Sequence, residues 1–247
     1  MKALRPQLTL LRIKKVFAGL QSGPGRAALK LGVAPSVEHH HLSDLQIAHV
    51  LDIGANRGQF SLFANTALGT REIDAFEPLP ECADVIRSIL PFVSVHEVAL
   101  TDTEGVRNFH VSRANDSSSL REITPTQTKH FPGTEEVEIR SVPATRFDTW
   151  CSGRTIKRPS LAKIDVQGSE LNVIRGMGQE IRQIDYIYAE LSFVELYEGQ
   201  ALAGETIGYL DGQGYSLVGI YNTRGDGVQA IQADALFRRR DTKGLVR

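Results

Sequence analysis

At 247 residues, with 41% hydrophobic and 23% charged side chains, the chain is long enough to bury one large α/β core without covalent staples. A formal net charge of −1 excludes a general nucleic-acid coat, which would carry a basic excess, so no nucleic-acid partner is expected. Two cysteines, Cys82 and Cys151, make no disulfide framework and suit a reducing, cytoplasmic setting. No apolar run approaches the roughly 18 residues of a spanning helix, and Leu8–Leu11 is too short for a signal-peptide core.

Residues 1–36 form a basic helical extension. Lys2, Arg5, Arg12, Lys14, Lys15, Arg26 and Lys30 stand there without an acid, and Leu8, Leu11, Val16, Phe17 and Leu20 fit one apolar stripe of a helix. A peripheral contact with a membrane surface or a phosphate-rich partner is one reading. The plainer one, preferred here, packs the helix on the main domain or on a second subunit, which leaves a homo-oligomer open. His39-His40-His41 reads as a surface loop, since three consecutive residues do not converge easily on one ion.

From residue 37 to 247 the pattern is that of a single domain. Strand His49–Ile53 is followed by a glycine turn and a helix over Gln59–Leu68. Strand Glu72–Phe76, helix Pro80–Leu90 and strand Val93–Leu100 continue a β-α-β-α-β series with short connections, which implies a parallel sheet. Asn108–Ser112 and Val137–Val142 alternate apolar and polar residues, as exposed antiparallel strands do. Between them Arg113–Gly133 is long for a connection, and a segment of that kind is a functional lid or a disordered linker. Then come a short helix Arg146–Cys151, strand Ser160–Val166, helix Ser169–Arg175, strand Ile184–Leu191 and helix Thr206–Gln213. Strands Tyr215–Tyr221 and Gln229–Arg238, joined by one turn, should pair as an antiparallel hairpin.

In such a sheet ligands bind beyond the carboxyl ends of the strands. Asp52-Ile-Gly54-Ala-Asn56-Arg-Gly58 closes the first strand. Gly54 can take a positive φ and admits a backbone or ligand closely, while Asn56 occupies the place of the glycine that a dinucleotide motif presents to a pyrophosphate. That favours a ligand without a pyrophosphate. Glu77 follows Gly54 by 23 residues at the end of the second strand, where an acid can accept two ribose hydroxyls, and Pro78 fixes the chain direction after it. In Lys163-Ile-Asp165 the two charges share one face of a buried strand. Either they neutralise each other or Asp165 edges the ligand pocket, where it can meet a cationic cofactor or take a proton from a hydroxyl. Glu190 ends the next strand, and His110 and His130 flank the long loop as weaker base candidates. Cys-x-x-Cys and His-x-x-x-His metal pairs are absent, so no metal is expected; a P-loop lysine and a Gly-x-Ser-x-Gly elbow are absent as well.

Together Asp52–Gly58, Phe76-Glu-Pro78, Val98-Ala-Leu-Thr-Asp102, Lys163-Ile-Asp-Val-Gln-Gly-Ser-Glu170 and Gly214-Tyr215 resemble the FkbM family of S-adenosylmethionine-dependent methyltransferases. The resemblance runs from about residue 37 to 237. It implies the seven-stranded, Rossmann-like sheet of class I methyltransferases, with helices on both faces and the last strand antiparallel. It implies S-adenosylmethionine as cofactor, with Asp52, Gly54, Asn56, Gly58 and Phe60 near its methionine and ribose parts. Glu77 and Pro78 would lie at the ribose, Ala99 and Leu100 against the adenine, and Asp165 at the transfer centre. O-methylation of a sugar, glycolipid or other small-molecule hydroxyl is the implied chemistry, and the resemblance makes Arg113–Gly133 the lid and acceptor loop. Asp165 is the first choice of general base and Glu190 the second. A protein or nucleic-acid methyltransferase, or a binding protein that kept the fold without catalysis, is the competing reading.

Overall fold

Buried strands separated by short helices assemble, in the computed structural model, into a seven-stranded sheet with helices on both faces. The structure describes residues 6–225 and 227–241, so Lys2 and Arg5 lie outside the described residues, as does the side chain of Leu8. The sheet contains β1 (His49–Ile53), β2 (Ile73–Phe76), β3 (Ser94–His96), β7 (Ser160–Ile164), β8 (Tyr186–Ser192), β9 (Tyr215–Gly225) and β10 (Ala230–Arg239), in the order β3-β2-β1-β7-β8-β10-β9. Strands β1, β2, β3, β7 and β8 pair in parallel, and β10, the last strand, runs antiparallel to both neighbours. The expected hairpin is therefore present, and strand order reverses between β1 and β7.

Strand alternation sorts the core into two layers. Leu51 and Ile53 of β1 join Phe147 of α6 (Phe147–Cys151), Val173 and Ile174 of α7 (Glu170–Gly176) and Leu210 of α8 (Ala203–Gly212). On the opposite face Val50 joins Ala28 of α2 (Gly23–Lys30), Leu62 and Phe63 of α3 (Gln59–Phe63), and Ile86 and Ile89 of α4 (Pro80–Ile89). Burial on both faces explains why these strands are apolar almost throughout. Each fully buried Leu, Ile or Phe contributes about 1.5–3 kcal/mol. Against that background Asp52 and Lys163, which face the α3 layer, stand out.

Several boundaries differ from the sequence reading. Val93–Leu100 is two strands, because the chain turns at Val98, whose N–H bonds to His96 O at 2.9 Å. β3 stays in the main sheet, whereas β4 (Ala99–Thr101) enters a second sheet of order β4-β6-β5, with β5 at Gly105–Ser112 and β6 at Glu136–Arg146. β5 and β6 pair antiparallel as expected. The Arg113–Gly133 segment is more structured than a bare loop. It holds a single helical turn at Asn115–Ser117 and α5 (Pro125–His130), and bridges Ser119 to His110 and Ile123 to Tyr197.

At the N-terminus α1 (Pro6–Leu20) folds back on α2, so closely that a Cβ on Gly25 would lie 2.2 Å from Gly19 O. Ala28 and Val33 carry α2 and its exit into the core, but α1 leaves Leu10, Ile13, Val16, Phe17 and Leu20 exposed. The expected packing of an apolar α1 stripe on the main domain is thus not what the structure shows. The histidine run is also not a solvated loop. It lies in a helical segment, Val37–Leu42, where the His39 ring packs 5.3 Å from both Phe60 and Tyr188, and His41 stacks on Tyr221 at 3.7 Å.

Candidate active site

The carboxyl ends of β1 and β7 are locked together by Lys163. It is the register partner of Asp52 on one side and Tyr188 on the other. Its Nζ donates to Gly54 O at 3.0 Å and lies 3.5 Å from Asp52 Oδ1 and 3.6 Å from Asp165 Oδ2. Burial works against the ammonium, but Asp165, Asp52 and Glu190 outweigh it and raise the Lys163 pKa. Asp52 is fully buried, and its Oδ2 accepts from Ser61 Oγ at 2.6 Å. The Lys163–Asp165 pairing expected from alternation is present, with Asp52 as a third member.

The glycine turn is shaped by this contact. Gly54 has φ +77°, and a Cβ there would lie 1.9 Å from Asp165 O, so the closely approaching group is the β7 turn. Asn56 has φ 47°, a left-handed conformation that asparagine tolerates better than most side chains. Its N–H donates to Glu77 Oε2 at 2.8 Å, and the Leu79 N–H donates to Oε1 at 2.9 Å. Burial nevertheless pushes the Glu77 carboxyl from its ordinary 4.5 up to about 7. Gly58, with φ 84°, opens α3 and faces Ile86.

These turns wall a cleft with Gly54, Asn56, Glu77, Pro78, Asp165 and Gln167 at its polar end. Phe76, Val98, Ala99, Leu100 and Phe109 line its apolar side, and Asn115, Asp116, Ser118 and Leu120 of the long segment close over it. Seven of the expected residues, Gly54, Asn56, Glu77, Pro78, Ala99, Leu100 and Asp165, thus line one cleft. Asp52 and Gly58 stand behind its wall. Phe60 lies elsewhere, buried with its ring beside His39 and 5.9 Å from Lys163 Nζ. The open space within the cleft is about 50 Å³, and the 115–120 segment forms one of its walls. A larger cleft of about 350 Å³, bordered by Arg121, Asn172, Arg175 and Gln200, contains none of the expected residues.

Gln167 joins this cleft to its surroundings. With φ 55° it directs its Nε2 to Asp165 Oδ1 at 2.6 Å and Glu190 Oε2 at 3.1 Å. Its carbonyl accepts from Ser119 Oγ at 2.6 Å, and Tyr197 Oη lies 2.7 Å from its Oε1 and 3.0 Å from Ser117 O. Glu190 also accepts from Gln232 Nε2 at 2.9 Å. Burial, and then the charges of Asp165, Asp234 and Glu170, raise its pKa well above the ordinary value and favour its protonated form. Glu170 accepts the N–H groups of Val166 and Gly168 and so fixes the turn into α7.

A polar group on the other side of Lys163 was not legible in the sequence. Tyr188 Oη donates to Asp234 Oδ2 at 3.0 Å, and His39 Nδ1 lies 3.0 Å from the same hydroxyl and 3.4 Å from Asn222 Nδ2. Burial holds the His39 pKa down at about 4, which leaves a neutral ring. Asp234 between two alanines of an apolar strand was the available signal; His39 is brought in by the fold. His110 is buried against Glu136, with Nδ1 2.6 Å from Oε2, and His130 ends α5; neither lines the cleft.

Residues 52–217 match the model of the methyltransferase FkbM domain. The chain belongs to the FkbM family of S-adenosylmethionine-dependent methyltransferases. Among curated proteins it is 33% identical over 165 residues to the 2-O-methyltransferase NoeI of Sinorhizobium fredii, covering 61% of this chain and 66% of that one. It is 28% identical over 196 residues to the 31-O-demethyl-FK506 methyltransferase FkbM of Streptomyces tacrolimicus, covering 68% and 73%. A crystal structure of methyltransferase FkbM from Methylobacillus flagellatus superposes with a TM-score of 0.47 and 13% identity over 78% of this FkbM-family chain and 44% of that one. This chain thus spans just under two thirds of NoeI and less than half of that structure.

Proposed function

We propose that this FkbM-family chain transfers a methyl group from S-adenosylmethionine to a hydroxyl oxygen of a sugar, a glycolipid or a related small molecule. The observation that carries the reading is the position of Asp165. Its carboxylate lines the same cleft as Gly54, Asn56 and Glu77, yet its side chain keeps 37% of its surface exposed for an incoming acceptor. The names of NoeI and of the Streptomyces enzyme, both O-methyl-transfer names, support a hydroxyl acceptor.

The cleft's chemistry fits the donor. Phe76, Val98, Ala99 and Leu100 offer an apolar slot to an adenine. Each Glu77 oxygen accepts one main-chain N–H and keeps a lone pair for a ribose hydroxyl. Gly54, Asn56 and Asp165 would border the methionine part, with Asp52 and Gly58 holding the turn behind them. S-adenosylmethionine, when bound, supplies a methyl group already activated on a sulfonium.

The protein's own contribution is then mainly to place the acceptor oxygen and exclude water. With the cofactor held there, the Asp165 carboxylate would take the proton of the acceptor hydroxyl, and the sulfonium would supply the methyl group. A positioned base contributes about 10²–10⁴-fold. Asp165 is suited to it because Lys163 and Gln167 hold its carboxylate, whereas the surroundings of Glu190 favour its protonated form. Glu190 instead anchors Gln167.

Calorimetry with S-adenosylmethionine and its demethylated product, alongside transfer of labelled methyl to glycans and glycolipids, tests the reading. Asp165→Asn should lower kcat by about 10²-fold or more while cofactor Kd changes only severalfold. Absence of binding by either nucleoside would sink the assignment, and an unchanged kcat would remove Asp165 as base.

A further inference from the structure

We infer that α1 docks this protein on an anionic membrane surface. Four large apolar side chains, Leu10, Ile13, Phe17 and Leu20, recur at spacings of three and four residues and are 53–65% exposed, with Val16 beside them at 48%. They form one stripe along the outer face of the helix. Arg12 and Lys14, both exposed, lie on its two borders. Cations flanking an apolar stripe are the arrangement of a helix lying in the membrane interface, with its apolar face down and its charges at the headgroups.

The distribution of charge selects the occupant. The first 37 residues hold seven basic side chains and no acid, and the seven subtracted from the chain's 28 leave 21 basic residues against all 29 acidic ones. A positive extension on a negative body is oriented by an anionic bilayer, which attracts the helix and repels the rest. A two-fold dimer through the same face would set Arg12, Lys14 and Arg26 of two copies against one another. The helix is fastened for the purpose. Gly19 and Gly25 bring α1 onto α2, Ala28 holds α2 in the core, and Lys15 pairs with Glu38 at 2.8 Å. Glu38 adjoins His39, which stands beside Phe60 and Tyr188, so the Lys15 pair ties α1 to the segment next to the polar group at Lys163. Docking does not depend on the methyl-transfer reading. If both hold, a membrane-borne glycolipid is the acceptor that this geometry serves.

The test is co-sedimentation of the full chain with vesicles of neutral phosphatidylcholine, and of phosphatidylcholine mixed with phosphatidylglycerol. Binding is expected on the anionic vesicles, with loss as salt shortens the screening length from about 10 Å to about 3 Å. Arg12→Gln with Lys14→Gln should weaken it on the order of 30-fold, at about a factor of five for each cation removed. Ile13→Glu with Phe17→Glu should abolish it without shifting the unfolding midpoint, since both side chains are already exposed. Equal binding of both variants and the parent, or no binding by the parent, overturns the inference. A parent that stays off vesicles but sediments as a dimer, and becomes a monomer in the Ile13/Phe17 variant, overturns it in favour of a second copy. Cofactor calorimetry on the same variants should be unchanged, which keeps failure of docking distinct from failure of the catalytic assignment.

Discussion

Replacing Glu77 by glutamine separates cofactor recognition from folding. Glu77 is only 5% exposed, and the rise of its pKa from 4.5 to about 7 means that burial disfavours the ionised form by roughly 3 kcal/mol. Glutamine has the same shape and no charge, so that cost disappears. In exchange one carboxylate oxygen becomes an NH₂ that must face the Asn56 or the Leu79 N–H, and a donor without an acceptor costs about 1–3 kcal/mol. The two effects nearly offset, and the melting temperature should move by no more than about 4 °C. Ribose binding loses more. Two hydroxyls give up a charged acceptor worth about 1.5–3 kcal/mol each, and a neutral amide recovers about half of it. The net loss is about 1.5–3 kcal/mol, or roughly 10- to 150-fold in Kd. Calorimetry with the demethylated nucleoside, beside a thermal melt, reads both quantities. A Kd within about threefold of the parent at unchanged stability would refute the ribose assignment.

Gly54→Ala should cost about 2–5 kcal/mol and lower the melting temperature, because it combines a left-handed φ with a Cβ 1.9 Å from Asp165 O; an unchanged melt would rule out the contact between the β1 and β7 turns. Tyr197→Phe removes the one hydroxyl proton that Gln167 Oε1 and Ser117 O share, so about 1–3 kcal/mol is lost and cleavage within residues 113–133 by limited proteolysis speeds up. Equal cleavage rates would detach the lid from Gln167. Burial raises both Glu77 and Glu170 from 4.5 to about 7, so the folded state holds these protons more tightly than the unfolded one. Their contribution to stability is therefore largest below about pH 4.5 and is lost as pH rises toward 7. Urea unfolding of the parent and of the double glutamine variant at pH 5 and pH 8 measures it, and a variant that responds to pH as the parent does would count against it. Lys163→Met strands the buried Asp52 carboxylate and should cost about 3–5 kcal/mol, much of it recovered when Asp52→Asn is added. Additive losses in the double-mutant cycle would show that the two side chains do not depend on each other.

The βα order and the terminal hairpin were legible because parallel strands buried on both faces leave apolar runs of five to seven residues, and each is followed by a helix or a tight turn. The cleft was legible where polar side chains interrupt those runs: Asp52, Glu77, and Lys163 with Asp165. Val93–Leu100 misled because an apolar run does not reveal that Val98 turns it into another sheet. Phe60 was placed at the cofactor by the family resemblance, whereas the first turn of α3 directs it toward His39. His39 itself was beyond reach, since only the docking of residues 37–42 against β8 and α3 brings it there. The long segment looked structureless because its order comes from distant partners, Tyr197 and Gln167, and not from local periodicity.

Lys163 explains why so many acids converge on one sheet edge without driving it apart. Asp52 in β1 and Asp165 just beyond β7 sit on neighbouring strands, and a single ammonium lies between them while also donating to the Gly54 carbonyl. An apolar residue at 163 would leave both turns repelling each other across a dry interface, and Gly54 could not then lie against Asp165 O. The next acids outward manage differently. Glu77 draws two main-chain N–H groups, Glu190 draws the amides of Gln167 and Gln232, and Asp234 draws Tyr188 and Asn222. The charge compensation therefore weakens from the centre outward, from an ion pair to neutral donors. It follows that Asp165, next to the lysine and still open to solvent, is the carboxylate best placed to meet a hydroxyl, and that Glu190, buried among other acids with only neutral amides, is the one best placed to keep its proton and hold Gln167.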